Sequence, residues 1–117
     1  MSGARSYHAG RAAEETVCDL YRRRGYALAA IRWRSTAGEI DIVMRNHSET
    51  VFVEVKSARD FDTAAQRLSP RQFGRIQRAA ELWLDGEPGG TDSAARVDVA
   101  LVNRHGAVSI VENVMAA

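Results

Sequence analysis

Residues 38–57 read GEIDIVMRNHSETVFVEVKS, in which two aliphatic runs flank a polar stretch. Runs rich in Val, Ile and Phe with polar residues at alternate positions are typical of β-strands, and four residues are a common hairpin loop. We therefore predict strands over residues 39–45 and 50–57, joined by a loop at residues 46–49. This hairpin decides the fold class, because the other segments are predicted to pack around it.

Successive side chains point to opposite faces of a strand, so the hairpin has an aliphatic face and a charged face. The aliphatic face contains Ile40, Ile42, Met44, Val51, Val53 and Val55. On the charged face, a loop at residues 46–49 places Asp41 opposite Glu54 and Glu39 opposite Lys56. The second pair can form a salt bridge, whereas two opposed carboxylates destabilise a sheet unless something offsets their repulsion.

A divalent cation would offset the repulsion between Asp41 and Glu54. Ligation by oxygen alone favours Mg²⁺ or Mn²⁺ over zinc. Lys56 lies two residues beyond Glu54 on the same face, where its ammonium group can contact a phosphate or assist an attacking water. The alternative interpretation is an ordinary solvent-exposed sheet face that carries charges. Lys56 favours the first interpretation, because it is the single lysine in a chain that otherwise uses arginine.

Two helices are predicted beside the hairpin. In a helix over residues 9–24, the apolar residues that share one face are Ala13, Val17, Leu20 and Tyr21. A second helix is predicted over residues 70–85, after Ser69, a preferred N-cap residue. Gln72 follows at the position that completes a capping box.

Three further strands are predicted over residues 26–34, 96–102 and 107–111, and residues 58–68 are predicted to form a polar loop. The order αβββαββ indicates an α/β fold with a mixed sheet of about five strands flanked by helices. We expect a single domain over residues 1–117, with a flexible N-terminus at residues 1–8. Asp98 interrupts an apolar strand, and we predict a buried, hydrogen-bonded acid without a catalytic role.

The composition is that of one globular domain, with 117 residues, 45% of them hydrophobic, and a formal net charge of +1. No apolar run approaches the roughly 20 residues that span a membrane. The first ten residues lack the apolar stretch of a signal peptide, and Cys18 is the single cysteine. We therefore expect a cytoplasmic protein without a membrane partner or a disulfide framework.

Several segments resemble the PD-(D/E)xK nuclease superfamily and, more closely, the YraN-like family of uncharacterised bacterial predicted endonucleases. The matching segments are GRAAE (10–14), GY (25–26), GEIDIV (38–43), VFVEVK (51–56), the helix that contains Gln72, and RVDV (96–99). The resemblance implies a restriction-endonuclease-like core and Mg²⁺- or Mn²⁺-dependent hydrolysis of phosphodiester bonds in DNA, with branched or structured DNA as substrate. The resemblance also suggests a homodimer, since junction-cutting relatives work as dimers.

The resemblance assigns chemical roles to the charged face of the hairpin. It implies that Asp41 and Glu54 hold the metal, with Glu39 or Glu14 as a further candidate ligand, and that Lys56 is the catalytic lysine. The alternative function is a nucleic-acid-binding or protein-interaction module on the same fold, with little or no cleavage activity.

Two helical residues are further candidates for the catalytic site. Glu14 matches an acid in the first helix of junction-resolving nucleases, and it lies beside Cys18 and Tyr21 at the edge of the apolar stripe. The alternative for Glu14 is a partly buried acid paired with an arginine. Gln72 matches a polar residue of the second helix, and the alternative is its capping-box role.

Six arginines are candidate contacts to nucleic-acid phosphates: Arg32, Arg34, Arg59, Arg71, Arg75 and Arg78. Arginine clusters neutralise phosphates and make affinity salt-dependent, but solvated faces that pair with acids explain any single arginine equally well. The chain departs from the family pattern here. Arg32 occupies a position where relatives often have asparagine, Arg71 one where many have lysine, and Ala58 a position that is usually basic.

Overall fold

The predicted hairpin lies at the centre of the observed sheet. The computed structural model describes residues 3–115, with side chains for residues 10–115. The elements are α1 (Gly3–Arg23), β1 (Ala27–Arg34), β2 (Glu39–Arg45), β3 (Thr50–Ser57), α2 (Phe61–Gln66), α3 (Pro70–Asp85), a 3-10 helix (Gly90–Asp92), β4 (Ala95–Val102) and β5 (Val108–Val111). The predicted α/β class with a five-stranded mixed sheet is confirmed, and β2 and β3 have the predicted bounds.

The five strands form one sheet in the order β1-β2-β3-β4-β5. β3 and β4 are parallel, whereas the other neighbouring pairs are antiparallel. A parallel pair requires a crossover connection, and α2, α3 and the 3-10 helix supply it. The carboxyl ends of β3 and β4 and the start of β2 therefore lie at the same end of the strands.

Helices cover both faces of the sheet, so the hairpin is buried on two sides. The α1 face contains Ala13, Val17, Cys18 and Tyr21 against Ile42, Met44, Val51, Val53, Ala100 and Val102. On the opposite face, Ile76, Ala79, Ala80 and Leu84 of α3 pack against Ile40, Val43, Phe52 and Val97. α2 covers β4 on that face, where Ala64 packs with Val99 and Leu101. The acids of the two strands, Glu39, Asp41 and Glu54, lie toward the end of the hairpin away from its loop.

α2 is the element that the sequence prediction missed. The loop predicted over residues 58–68 is wrong at Phe61–Gln66, where a short helix begins after Asp60. The Asp60 carboxylate accepts the backbone N–H of Thr63 at 2.7 Å and caps this helix. Six residues hold too few apolar positions for a helical periodicity to be recognised, so the Asp60 cap is the one local signal for α2.

α1 begins at Gly3, earlier than the predicted start at residue 9. The expected flexibility of residues 1–8 stays a prediction, and residues 1 and 2 lie outside the described residues. Among the helices of residues 3–115, none has the length and apolar character needed to cross a membrane.

Candidate active site

The β2–β3 hairpin has the predicted register from its loop to the middle of the strands. Val43 pairs with Phe52, and the connecting loop spans residues 46–49. The regular ladder then ends at the pair Ile42–Val53. The carboxylates predicted to face each other lie just beyond this last pair.

Beyond the ladder, the Asp41 carboxylate links β2 to β3. Its Oδ2 accepts the backbone N–H of Val55 at 2.8 Å, so a side chain replaces the backbone acceptor of a regular ladder. The predicted backbone pairs of Asp41 with Glu54 and of Glu39 with Lys56 are therefore wrong. The two strands diverge at the position where the acids are placed.

The alternation of faces also breaks at Asp41. Ile42 packs in the core beneath α1, whereas Ile40 packs in the core beneath α3, so the prediction that they share a face is wrong. Trp33, the partner of Ile40 on β1, also packs beneath α3. Arg32, the residue before Trp33 on β1, has a left-handed backbone conformation, with φ at 48°. A strict two-residue alternation cannot hold across such a position.

Glu54 is a buried acid beside Asp41. The residue is 6% exposed, and its Oε2 accepts a hydrogen bond from Nε2 of Gln72 at 3.2 Å. Burial is the main cause that raises the pKa of Glu54 to about 9, and hydrogen bonding and repulsion from Asp41 act in the same direction. The Lys56 ammonium group opposes this shift. Without a cation, Glu54 therefore keeps its proton at neutral pH.

Gln72 contacts the site from the first turn of α3. Ser69 Oγ accepts the backbone N–H of Gln72 at 3.2 Å, so the predicted N-cap is confirmed. The side-chain amide of Gln72 points to Glu54 rather than back to Ser69, so the reciprocal half of the predicted capping box is wrong. The start of α3 thus orients one oxygen of Glu54.

Glu14 approaches the same end of the sheet from α1 and forms an ion pair with Arg32. The Glu14 side chain is 12% exposed and that of Arg32 is 34% exposed. Burial raises the pKa of Glu14, the Arg32 guanidinium opposes this, and the nearby carboxylates of Asp41 and Glu39 add to the rise. The structure shows the pairing of Glu14 with an arginine, whereas its role in the catalytic site stays a prediction.

Glu39 and Lys56 occupy the outer side of this region. Glu39 Oε2 lies 3.3 Å from Nε of Arg34, and their side chains are 37% and 86% exposed. Lys56 is half-buried near the end of β3, close enough to Glu54 to lower its pKa. Glu39 is thus more accessible to solvent than the inner pair of carboxyl groups.

The inner pair of carboxyl groups fits a hard divalent cation. Mg²⁺ is commonly held by one or two carboxylates and retains several waters. Asp41 and Glu54 supply two carboxylates, and a cation can take the place of the proton on Glu54. Among residues 10–115, whose side chains are described, no group of three His, Cys, Asp or Glu residues is arranged to hold a metal ion. Both Glu14 and Glu39 are instead paired with arginines of β1.

The candidate phosphate contacts lie on several elements. Arg71, Arg75 and Arg78 are exposed on α3, Arg32 and Arg34 lie on β1, and Arg59 is exposed in the loop after β3. Arg75 is the closest of the α3 set to the start of β2, because a Cβ placed on Gly38 would lie 3.7 Å from Cβ of Arg75. The Cβ of Arg75 thus lies beside Gly38, the residue that precedes β2.

A second polar network lies toward the other end of the hairpin. Asp98 is fully buried and accepts hydrogen bonds from Oη of Tyr21 at 2.6 Å and from the backbone N–H of Asn113 at 2.9 Å. Arg96 donates to the Asp98 carboxylate and also to Glu49 at 2.9 Å. The prediction of a buried, hydrogen-bonded acid is confirmed. This network joins α1 to β4 and to the segment after β5.

The sequence of residues 13–102 matches the model of the uncharacterised protein family UPF0102. The chain belongs to this family. The predicted membership of the YraN-like family is thereby confirmed. The match runs from α1 to the end of β4, and it therefore includes Glu14, Asp41, Glu54, Lys56 and Gln72.

Similar UPF0102 proteins cover 95% or more of this chain. A UPF0102 protein of Cereibacter sphaeroides strain KD131 is 51% identical over 117 residues, which is 100% of both chains. One from Ruegeria pomeroyi is 50% identical over 111 residues, covering 95% of this chain and 90% of the relative. One from Dinoroseobacter shibae is 38% identical over 112 residues, covering 96% and 84%. The family thus extends over the helices and strands that position the site.

Proposed function

We propose that this UPF0102 protein is a Mg²⁺- or Mn²⁺-dependent endonuclease that hydrolyses phosphodiester bonds in DNA. The observation that carries the proposal is the Asp41–Glu54 carboxyl pair beside Lys56, at the point where β2 and β3 diverge. Branched or structured DNA is the proposed substrate, and this part of the proposal rests on the resemblance to junction-resolving nucleases.

Two adjacent acids on the central strands are costly for a domain of this size. Each unit by which burial and repulsion raise the pKa of Glu54 corresponds to about 1.4 kcal/mol against its charged form. Strongly shifted carboxyl groups next to a second charge occur preferentially at functional sites. A ligand that neutralises both carboxylates, such as a divalent cation, explains their placement better than a structural role does.

The surrounding residues orient the proposed metal ligands. The backbone N–H of Val55 holds Asp41, and the amide of Gln72 holds Glu54, so both carboxylates are fixed by neighbours on β3 and α3. Glu39 is the further candidate ligand. A bound cation would polarise the phosphodiester and lower the pKa of a water molecule.

Lys56 is the proposed partner of the reacting phosphate. Its ammonium group lies near Glu54, where it can stabilise the negative charge that develops on the phosphate oxygens during attack. Arg75 and the other exposed arginines of α3 are proposed to contact flanking phosphates. Contacts of this type predict that affinity falls steeply as the salt concentration rises.

The direct test is a cleavage assay with Mg²⁺ or Mn²⁺ on four DNA substrates: a linear duplex, a single strand, a flap and a four-way junction. We expect cleavage of the branched forms by the parent and none by Asp41→Asn or Lys56→Ala. Glu15→Gln is the matched control, because Glu15 is an exposed acid of α1. Cleavage that persists in the Asp41→Asn/Lys56→Ala double variant would show a contaminating nuclease and remove the support for this function.

A binding module without cleavage is the second candidate function. The observation that favours it is the absence, within residues 10–115, of a three-acid group ready to hold a metal. Calorimetric titration with Mn²⁺ separates the two functions. Saturable binding that Asp41→Asn removes supports the endonuclease, whereas branched DNA bound without any saturable Mn²⁺ site supports the module.

A further inference from the structure

A cavity of about 610 Å³ opens at the carboxyl ends of β3 and β4, beside residues 10–16 of α1. Its volume lies within the range of roughly 300–1,000 Å³ that is usual for small-molecule sites. In open α/β sheets, ligands commonly bind outside the carboxyl ends of the strands. The cavity thus has the size and the place in the fold of a small-molecule site.

The cavity and Lys56 lie on opposite faces of the sheet. Ser57, which lines the cavity, pairs with Val102 on β4, and Val102 packs in the core beneath α1. Lys56 pairs with Leu101, which packs in the core beneath α2. Successive residues of a strand point to opposite faces. The cavity therefore lies behind Lys56, and none of the described residues that line it belongs to the proposed metal site.

The cavity has a positively charged lining. Among the described residues that line it, the charged ones are Arg67, which follows α2, and Arg104, in the turn between β4 and β5. Neither guanidinium group forms an ion pair with an acid of residues 10–115, whereas the neighbouring Arg59 pairs with Asp60. A cavity lined by charges of one sign attracts ligands of the opposite sign. The lining therefore favours an anionic ligand.

Hydrogen bonds between the loops fix the donors that line the cavity. Nη1 of Arg67 donates to the carbonyl oxygen of Ser57 at 2.8 Å, which leaves its other N–H groups for a ligand. The backbone N–H of Arg104 donates to the carbonyl oxygen of Arg59 at 3.4 Å. Oδ1 of Asn103 accepts two backbone N–H groups of its own turn, so its NH₂ group is the donor that remains for the cavity. Donors held in this way reduce the ordering that a ligand must bring about.

The lining combines phosphate-binding groups with a wall of small residues. A guanidinium group can form two parallel hydrogen bonds with a phosphate group. Two arginines therefore suit the double charge of a phosphate monoester better than the single charge of a carboxylate. Along α1 the wall is formed by Gly10, Ala12 and Ala13, which leave room for an uncharged organic group. A nucleoside monophosphate has both parts, since its sugar and base can lie against this wall.

We propose that this cavity binds a nucleoside monophosphate, with the phosphate between Arg67 and Arg104 and the nucleoside against α1. Such a group has two sources, the terminal nucleotide of a nucleic-acid strand and a free mononucleotide. The choice of a nucleotide among phosphate monoesters rests on the proposed function, since nucleic acid is the substrate proposed for this end of the sheet. Binding in the cavity itself requires neither the metal nor cleavage.

The test is a titration of the isotope-labelled protein with thymidine monophosphate in EDTA, followed by two-dimensional NMR. We expect saturable shifts that are largest around the cavity, at Ala13, Ser57 and Asn103. Thymidine, which lacks the phosphate, should bind at least about tenfold more weakly. Arg67→Gln and Arg104→Gln should each weaken the binding of thymidine monophosphate by about tenfold or more, the size expected for a lost charge-assisted hydrogen bond.

Two further variants separate the cavity from charge in general. Arg23→Gln removes an exposed arginine at the end of α1 and should leave the affinity within about twofold of the parent, since Arg23 does not line the cavity. Ala12→Leu enlarges an exposed side chain of α1 that lines the cavity, so it should weaken the binding of thymidine monophosphate about fivefold or more. Thermal melts of every variant, followed by circular dichroism, establish that the comparison is between folded proteins.

Two single-stranded DNA oligonucleotides of one sequence, with and without a phosphate at the end of the strand, distinguish the two sources of the ligand. Their affinities are measured by fluorescence anisotropy in EDTA. A gain of about fivefold or more from the terminal phosphate, which Arg67→Gln removes, identifies a strand end as the ligand. Saturable binding of thymidine monophosphate, together with equal affinities for the two oligonucleotides, identifies a free mononucleotide.

Two kinds of result would overturn the inference. Thymidine monophosphate that binds no more tightly than thymidine, or than inorganic phosphate, would show that the cavity does not recognise a nucleotide. Unchanged affinity in both Arg67→Gln and Arg104→Gln, or shifts that are largest outside the cavity, would place the ligand elsewhere. These measurements involve neither a metal nor cleavage, so their outcome is separate from that of the cleavage assay that tests the proposed function.

Discussion

Replacing Glu54 by glutamine should make the protein more stable while removing its proposed metal site. In the absence of a cation, burial and the adjacent Asp41 raise the pKa of Glu54 from 4.5 to about 9. The folded state therefore binds a proton more tightly than the unfolded state does. Stability from this group is fully present below pH 4.5 and is lost progressively as the pH rises toward 9.

The magnitude follows from the size of this window. Each pH unit inside it lowers the free energy of unfolding by at most about 1.4 kcal/mol. Between pH 6 and pH 8 the parent should therefore lose up to about 3 kcal/mol through Glu54. Glu54→Gln should lack this loss, because its amide stays neutral. The glutamine can still accept the hydrogen bond from Gln72 and donate one to Asp41.

The assay is urea denaturation at pH 6, 7 and 8 with EDTA present, followed by circular dichroism. We expect Glu54→Gln to exceed the parent by about 1–3 kcal/mol at pH 8 and by less at pH 6. Glu15→Gln, at an exposed site on α1, should follow the parent at every pH. A parallel pH dependence in the parent and in Glu54→Gln would refute the reasoning, because Glu54 would then be ionised in the folded state without cost.

Three smaller predictions test the scaffold. Tyr21→Phe should lower the free energy of unfolding by about 1–3 kcal/mol in urea denaturation, because it removes the 2.6 Å hydrogen bond to the buried Asp98 carboxylate. Unchanged stability would show that water replaces the hydroxyl group. Ser69→Ala should cost about 1 kcal/mol in the same assay, because the backbone N–H of Gln72 loses its cap; a smaller loss for Ser69→Gly than for Ser69→Ala is expected. Cys18 is 3% exposed, and burial raises the pKa of its thiol. It should react with a thiol reagent only on unfolding, and rapid labelling of the native protein would contradict this packing.

The sequence predicted the fold well where local signals were strong. The bounds of β2 and β3 follow from their aliphatic runs, and the start of α3 follows from Ser69 and Pro70. α2 was missed because its signal is a single N-cap residue, Asp60, before a helix of six residues. The register of the hairpin was correct at Val43 and Phe52, since a four-residue loop determines it there.

The candidate site was predicted less completely than the fold. The alternation of side chains along the strands predicted that Asp41 and Glu54 lie next to each other. It also predicted that they form a pair in a regular β-ladder, and the structure does not form that pair. The carboxylate of Asp41 bonds to the backbone of Val55 instead, and Ile40 turns to the opposite face from Ile42. Such a departure depends on the conformation of a neighbouring strand, which a periodic pattern does not encode.

Sequence alone determined the elements of this protein and the set of acids at one end of its hairpin, because strand periodicity, loop length and helix caps act over a few residues. Tertiary structure decided which of those acids are free and which are paired. Arg32 is distant from Glu14 along the chain, and only the packing of α1 against β1 and β2 brings them into contact. Likewise, Gln72 meets Glu54 because α3 packs against β2 and β3. Pairing between distant charges depends on the folded distances between elements, and these distances arise only when the whole sheet is assembled.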